Sequence, residues 1–177
     1  MLPDSSAQVG ASTERFSAAY RELSPRVLGY LRSHGVDDPE AVTDDVFLAL
    51  HRRFGSIDGG DNGVRTLTFS IAHARLVDSH RARARRPMHV PFDAEDDPRR
   101  SASAEDDAID AVGGGATALL TRLGDDQRQV VSLRVIAGLS LEETAQVMDR
   151  SVGSIKQLQR RGLESLRSLL AQEAIDV

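Results

Sequence analysis

LSLEETAQVMDRSVGSIKQLQRRGLESLR, residues 139–167, contains two helix starts separated by a short turn. Ser140 and Glu143 form the Ser-x-x-Glu pattern of a capping box, which predicts a short helix before the turn. The Asp-Arg pair at 149–150 predicts a tight turn, and Ser151 can cap a second, longer helix after it. A short helix, a turn and a longer helix form the layout of a helix-turn-helix motif.

The second helix of this segment has an apolar face and a polar face. On a wheel of 3.6 residues per turn, Ile155, Gly162 and Leu166 share the apolar face. Side chains on the polar face can contact base edges and phosphates in a DNA major groove, and the alternative is an ordinary solvated helix. The complete helix-turn-helix layout favours DNA binding. The candidate DNA-contacting residues of this helix are Ser154, Lys156, Gln157, Arg160 and Arg161. Gln159 falls on the buried side, where it could bond to backbone or lie beside the glycine.

Helical periodicity also runs through the N-terminal half. A first apolar stripe begins at Phe16, with steps of three and four residues, and its helix is predicted to end near Gly35. Asp38 followed by Pro39 predicts the cap and first residue of a second helix. The loop SIDGGDNG separates that helix from a third one, predicted over about 64–86. The apolar side of the third helix is predicted at Leu67, Ile71 and Ala74.

Charge is sorted along the chain, although the net charge is −5. Residues 65–86 contain six arginines and one acid, whereas residues 93–110 contain eight acids and two arginines. The acidic block, with its prolines and the glycines that follow it, is typical of a flexible linker. The predicted organisation is all-α, with a disordered leader at 1–12 and two small helical domains at 13–90 and 116–177, joined by a flexible acidic linker at 91–115.

Composition argues against several classes of protein. Cysteine is absent, so disulfides and thiolate zinc sites are excluded. No apolar run reaches the roughly 20 residues of a membrane span, and the first residues lack a signal-peptide pattern. We therefore expect a soluble, cytoplasmic protein with no membrane contact of its own.

His73 and His80 lack a third ligand of suitable spacing, so no metal is expected. Adjacent acids at 44–45 have no nucleophile or base beside them, so neither catalysis nor a cofactor is predicted.

The C-terminal half resembles the promoter-recognition region 4 of bacterial sigma factors of the sigma-70 family, in the extracytoplasmic-function (ECF) group. LTRLGDDQRQVVSLRVIAGLSLEETA, residues 120–145, is similar to the family's entry into its helix-turn-helix. RRGLESLRSLL, residues 160–170, is similar to the closing helix. Two positions depart from the pattern: Gly124 stands where proline is usual, and Leu158-Gln159 where arginine-leucine is common. An N-terminal cap for the helix of the entry segment is predicted at Asp125 or Asp126.

The N-terminal half resembles region 2 of the same family, in the correct order and spacing. Its three similar segments are FSAAYRELSPRVLGYLRSHGV (16–36), PEAVTDDVFLALHRR (39–53) and TLTFSIAHARLVDSHRARARR (66–86). In the family the second segment grips RNA polymerase and the third faces the opened promoter. The resemblance implies polymerase-binding roles for Asp44, Asp45 and Leu48.

The resemblance also implies contacts to the −10 promoter element. In the family the loop corresponding to SIDGGDNG captures a flipped base, and a solvent loop is the alternative. The arginines at the end of the third helix are phosphate-binding candidates, because clustered cations release counterions from DNA. The candidate −10 residues are Asn62, His73, Asp78, His80, Arg81, Arg85 and Arg86. Three positions of region 2 depart from the family: Ala41 replaces an acid, Leu67 a tryptophan and Ala74 an asparagine.

Together these patterns predict an ECF sigma factor. It would bind core RNA polymerase, read promoter DNA at the −35 element with region 4, and read and melt the −10 element with region 2. An anti-sigma factor is the further partner that the resemblance implies. Two alternatives from other classes are a helix-turn-helix regulator that acts at operators without polymerase, and a sigma-like protein that sequesters a partner.

Overall fold

The computed structural model describes residues 5–85 and 115–174, and for residues 5–9, 11 and 173 it describes the backbone only. All the regular elements in these two ranges are helical, as predicted. The N-terminal module contains α1 (Ser5–Ser33), α2 (Pro39–Arg53), a single 3₁₀ turn (Phe54–Ser56) and α3 (Gly60–Arg85). Residues 91–114 of the predicted acidic linker lie outside the described residues.

The N-terminal module is a bundle in which each of its three long helices packs on the other two. Its centre contains large side chains that are fully buried: Val27, Tyr30, Leu31, Val46, Leu50, Phe69 and Leu76. The end of α1 is a Schellman motif, in which Val36 N–H donates to Leu31 O and Gly35 N–H to Arg32 O. Gly35 has a φ of +65°, which confirms the predicted glycine stop. Asp38 caps α2 through the backbone N–H of Ala41, also as predicted.

Three boundaries or faces in this module differ from the sequence prediction. Helix α1 begins at Ser5, so the leader predicted to be disordered is helical over residues 5–12, while residues 1–4 lie outside the described range. Alanine and glutamine in this segment are compatible with helix, and extending an existing helix costs far less than starting one. The loop before α3 is also shorter than predicted, because α3 already begins at Gly60.

The buried face of α3 is the third difference. The structure buries Val64, Thr68, Phe69 and Leu76, whereas Ala74 is exposed and the predicted Leu67 and Ile71 are only half-buried. Thr68 is tolerated in the core because its hydroxyl donates to Val64 O at 2.7 Å. A threonine in the core breaks the apolar pattern on which the prediction depended.

The C-terminal module contains α4 (115–121), α5 (Asp125–Val135), α6 (Leu141–Met148) and α7 (Val152–Glu173). Its core is aliphatic, with Val130, Leu133, Leu139 and Ile155 fully buried. Helices α5 and α7 cross closely at Gly162, where a Cβ would lie 2.9 Å from Val131 Cγ2. Glycine is therefore required for this distance between the helices.

The two modules pack against each other. Helix α6 contacts α3, and α5 contacts the end of α1, so that one apolar cluster continues through both modules. Thr66 Oγ1 donates to Glu143 Oε1 at 3.1 Å across this junction. Ser33 Oγ and Ser132 Oγ, both buried, are 3.5 Å apart. The junction therefore combines apolar packing with a few polar contacts.

Candidate nucleic-acid interface

The predicted helix-turn-helix is present, with both of its predicted caps. Ser140 Oγ accepts from Glu143 N–H at 3.1 Å, and Glu143 Oε2 accepts from Ser140 N–H at 2.6 Å, which completes the capping box. Ser151 Oγ accepts from Ser154 N–H at 3.2 Å at the start of α7. The sequence prediction for α6, the turn and α7 is confirmed.

The turn between α6 and α7 is held by contacts that the sequence did not reveal. Asp149 adopts a left-handed conformation with φ +50°, which ends α6. Arg150 Nη2 then donates to both carboxylate oxygens of Asp126, each at 2.9 Å. The cap of α5 was predicted at Asp125 or Asp126, but Gly124 occupies that position and both acids lie in the first turn. This ion pair joins the turn to α5 and so helps to fix where α7 begins.

Helix α7 presents most of its candidate DNA contacts to solvent. Gln157, Arg160 and Arg161 are exposed on the side away from the buried Ile155, Lys156 is exposed at the border of that side, and Ser154 is half-buried. Arg160 Nη1 lies 3.7 Å from Glu164 Oε1, a loose pair one turn along the helix. This face combines three cations and an amide, the groups that form hydrogen bonds to guanine, adenine and phosphate.

Gln159 lies on the inner side of α7, as its wheel position indicated. Its Oε1 accepts from Arg134 Nε at 3.3 Å, rather than from backbone, and Arg134 also donates to Leu139 O. Arg134, on α5, is therefore linked both to α7 and to the loop that precedes α6. Together with the Arg150–Asp126 pair and the close crossing at Gly162, these contacts fix α7 on the module.

The candidate −10 residues of α3 are not brought together on one face. Asp78, Arg81 and Arg85 are exposed, and Arg81 lies 3.8 Å from Asp78. His73 and His80 are half-buried and instead face the end of α1. Arg86 lies outside the described residues. Arg75, which sequence reasoning did not select, is also exposed, one turn before Asp78.

The two histidines of α3 lie within hydrogen-bonding distance of groups at the end of α1. His73 Nδ1 is 3.0 Å from Tyr30 Oη, and burial lowers the pKa of His73. His80 Nε2 is 3.4 Å from His34 O. His34, which sequence reasoning missed, is buried at 4% exposure beside them. Since these contacts join residues more than 40 positions apart, no local pattern indicates them.

Asn62 lies in the first turn of α3 and is exposed. It lines an open groove with residues of the preceding loop, and Glu143 and Gln146 of α6 form the opposite wall. The loop proposed for base capture therefore faces the helix-turn-helix in the packed form.

The three candidate polymerase-binding residues share one exposed face of α2. Asp44, Asp45 and Leu48 lie within one turn of each other, and Leu48 is 59% exposed. Tyr20 of α1 is also 40% exposed, and its ring packs edge-on against Phe47 at 4.7 Å. Tyr20 therefore extends the apolar part of this face, which sequence reasoning did not predict. Ala41 is exposed one turn before Asp44.

Comparisons with known proteins agree with this geometry. Residues 119–168 match the family model Sigma-70, region 4, which covers the described part of the C-terminal module from α4 into α7. The solved structure of CnrH, in complex with the cytosolic domain of CnrY, matches with a TM-score of 0.64 at 22% identity and covers 94% of each chain. That likeness concerns the fold. The helix-turn-helix is thus the region 4 of a sigma-70 protein.

Relatives extend the match to most of the chain. The ECF RNA polymerase sigma factor ShbA of Streptomyces griseus is 34% identical over 167 residues, which cover 85% of this chain and 84% of ShbA. The ECF RNA polymerase sigma factor BldN of Streptomyces coelicolor is 32% identical over 177 residues, 95% of this chain, but the chain spans 64% of BldN. The ECF RNA polymerase sigma factor SigK of Mycolicibacterium vanbaalenii is 28% identical over 163 residues, 89% of this chain and 82% of SigK.

The chain belongs to the ECF RNA polymerase sigma factors, the non-enzymatic proteins that direct transcription initiation through RNA polymerase. The prediction of a sigma factor is confirmed over the two alternatives, the operator-binding regulator and the sequestering protein. Within the described ranges, no helix is both long and apolar enough to cross a bilayer.

Proposed function

We propose that the two modules divide the work of promoter recognition in the cytoplasm. Region 4, over residues 116–177, reads the −35 duplex with α7, and region 2, over residues 13–90, binds core polymerase and the −10 element. The observation that carries this proposal is the capped, anchored α7 with Lys156, Gln157, Arg160 and Arg161 exposed on its outer side. Direct contacts of this kind specify bases in the major groove.

Core polymerase binds the exposed face of α2. Two carboxylates and a largely exposed leucine make a surface that can combine ion pairs with apolar contact, and Tyr20 enlarges its apolar part. Aromatic side chains are enriched among residues that contribute most to protein interfaces. Ala41, where the family pattern has an acid, removes one charge from this surface.

Promoter binding requires the modules to separate. The −35 and −10 elements are about 25 base pairs apart, which is roughly 85 Å along B-DNA at 34–36 Å per turn. Packed helices such as α3 and α6 have axes only about 8–10 Å apart. The packed form cannot therefore place region 4 on one element and region 2 on the other. An acidic linker of flexible composition permits such a separation.

An anti-sigma factor regulates this change by stabilising the packed form. The support is that the packed form places α6 beside the groove at Asn62, so stabilising it withholds both promoter-reading surfaces from their positions on DNA. CnrH, which shares the fold, was solved in complex with the cytosolic domain of CnrY. A chain of this fold can therefore hold a protein partner.

The test is transcription in vitro with purified core polymerase, with start sites mapped across genomic DNA. The chain should convert core polymerase into a form that starts at a limited set of promoters. The double variant Asp44→Arg/Asp45→Arg should lose polymerase capture in a pull-down, because two charges on the proposed face are reversed.

A matched control is the double variant Glu14→Arg/Glu22→Arg, which makes the same change of charge at exposed acids of α1. It should capture polymerase like the unmodified chain. Equal capture by both double variants, or equal loss in both, contradicts the assignment of the α2 face.

A further inference from the structure

The end of α1 forms a buried polar joint between the modules. Ser33 and His34 are both buried at this point, and Ser33 Oγ faces Ser132 Oγ of α5. The backbone O of His34 is 3.4 Å from His80 Nε2 of α3. Three helices, two from region 2 and one from region 4, therefore meet around His34.

The hydrogen bonds of His34 define its protonation in the packed form. Its Nδ1 lies 2.7 Å from Tyr30 O, so Nδ1 carries the hydrogen and donates to that carbonyl. Ser33 Oγ is 3.1 Å from the same nitrogen. Nε2 is buried and has no hydrogen-bond partner within the described residues. A neutral imidazole is compatible with this environment, whereas a proton on Nε2 adds a charged donor that no described group accepts.

The cationic and titratable side chains of α3 and α5 near His34 oppose its protonation, whereas the bond to Tyr30 O favours it. Arg128 faces it from α5, His73 and His80 face it from α3, and Tyr30 lies one turn before it on α1. At the adjoining turn, Arg83 donates to Gly35 O and pairs with Asp37. Burial lowers the pKa of His34 from 6.5 to about 4, the bond to Tyr30 opposes this shift, and Arg128, His80 and His73 add to it.

We propose that His34 is a proton-sensitive latch between the two modules: its neutral form permits the packed arrangement, and its protonated form favours separation of region 4 from region 2. The inference deepens the proposed function, since it rests on the separation step described there. Arg128 and Ser132 lie on the α5 side, so withdrawal of α5 removes a repelling cation and admits water to the joint.

The sign and size of the effect follow from linkage. A histidine whose pKa is lower in the packed form than in the separated form binds more protons when separated, so the packed form loses stability as the pH falls from about 6.5 towards 4. With a packed-state pKa of about 4 and the ordinary value of 6.5 as the upper limit for the separated form, the packing equilibrium weakens by at most about tenfold between neutral pH and pH 5.5.

The experiment measures the distance between modules in the full chain, without DNA or polymerase. Cysteine is absent from the sequence, so Arg52→Cys in α2 and Gln172→Cys in α7 give two exposed sites for a fluorophore pair. Energy transfer should fall between pH 7.5 and 5.5 while the helical circular dichroism stays constant. His34→Asn keeps an amide N–H for Tyr30 O but cannot be protonated, so it should abolish the pH response. His51→Asn, at an exposed position of α2, is the matched control and should retain it.

An NMR titration of the histidines separates a role at the joint from burial within region 2 alone. Ser132→Arg places a cation at the joint and should separate the modules at neutral pH. The midpoint of the His34 titration should then rise towards 6.5, whereas in the unmodified chain, in which protonation and separation are coupled, it should lie lower, between about 4 and 6.5.

Three results overturn the latch. The first is an equal pH response in the unmodified chain and in His34→Asn. The second is a loss of helicity that accompanies the loss of energy transfer, and the third is a His34 titration that Ser132→Arg leaves unchanged while energy transfer falls. Because neither assay contains promoter or polymerase, these outcomes leave the proposed function intact. A chain that shows the pH response yet fails to direct transcription contradicts the proposed function instead.

Discussion

The two helices proposed to meet DNA, α7 and α3, differ in how their side chains are used in the packed form. On α7, Lys156 and Gln157 are exposed beside Arg160 and Arg161, and the helix is fixed from behind by Gln159 and Gly162. On α3, by contrast, the two candidate histidines are bonded to Tyr30 and to the backbone of His34. The surface of α7 is thus formed before binding, whereas part of the α3 surface is committed to internal contacts.

This difference indicates which step of promoter recognition needs rearrangement. A preformed surface binds without a cost of reorganisation, as duplex reading at the −35 element requires. The histidine bonds of α3 lie within the N-terminal module and do not depend on the position of region 4, whereas α6 covers α3 at Thr66 until the modules separate. We therefore expect −35 reading by region 4 to be independent of region 2, and −10 reading to depend on separation of the modules.

The largest expected effect is on −35 binding. Arg160→Ala and Arg161→Ala should each weaken binding of −35 duplex by about 1–3 kcal/mol if both reach bases, and their effect should depend on sequence. The matched pair Arg81→Ala and Arg85→Ala on α3 should leave the −35 affinity nearly unchanged. Fluorescence anisotropy with specific and scrambled duplexes at fixed salt measures both. Normal −35 binding by both α7 variants contradicts the assignment of the reading face.

The next effect concerns the position of α7 on its module. Gly162→Ala should destabilise the protein by about 1–3 kcal/mol, because the new methyl group meets Val131 at 2.9 Å and a valine in a helix has one favoured rotamer. Gly153→Ala, in the same helix with no neighbour closer than 4.0 Å, should instead stabilise by about 0.5 kcal/mol. Urea unfolding of both variants measures the contrast. Equal changes in the two would mean that helix propensity, rather than the crossing with α5, determines the result.

A third change tests the internal contacts of α3. Tyr30→Phe removes the hydroxyl bonded to His73 Nδ1 and should cost about 1–2 kcal/mol of stability, because it leaves a half-buried nitrogen without its partner. Tyr20→Phe is the control, since Tyr20 is 40% exposed and its change should be close to zero. The −35 affinity of both variants should stay unchanged. A −35 affinity that falls with Tyr30→Phe would contradict the independence of the two surfaces.

The sequence predicted the features that depend on neighbouring residues. The capping box at Ser140 and Glu143, the cap at Ser151 and the glycine stop at Gly35 each involve residues at most a few positions apart. The order of helices in both modules follows from such local signals and from periodicity. The helix-turn-helix layout indicated DNA binding, and resemblance to the family supplied the more specific role of a sigma factor.

The sequence did not indicate contacts between residues that are far apart in the chain. Thr66 and Glu143 are 77 positions apart, and Tyr30 and His73 are 43 apart. The buried face of α3 was mispredicted because Thr68 satisfies its hydroxyl within the helix and so behaves as a core residue. The environment of His34 combines groups of α1, α3 and α5, so neither its neighbours in the sequence nor its residue type indicates it.

The smallest expected effect tests how the turn of the helix-turn-helix is held to α5. Arg150 donates to both oxygens of Asp126, but both side chains are about half exposed, so solvent screens the pair. A double-mutant cycle with Arg150→Ala and Asp126→Ala should give a coupling of about 0.5–1 kcal/mol, at the upper end for exposed pairs because one guanidinium nitrogen contacts both carboxylate oxygens. The comparison pair is Arg160 with Glu164, which lie 3.7 Å apart at greater exposure and should couple by about 0.3 kcal/mol or less. Both couplings should fall in 1 M salt, where the screening length is about 3 Å. If Arg150 couples no more strongly than Arg160, the turn is held by the left-handed Asp149 and the Ser151 cap alone, and the preformed character of α7 must then come from its packing at Gly162.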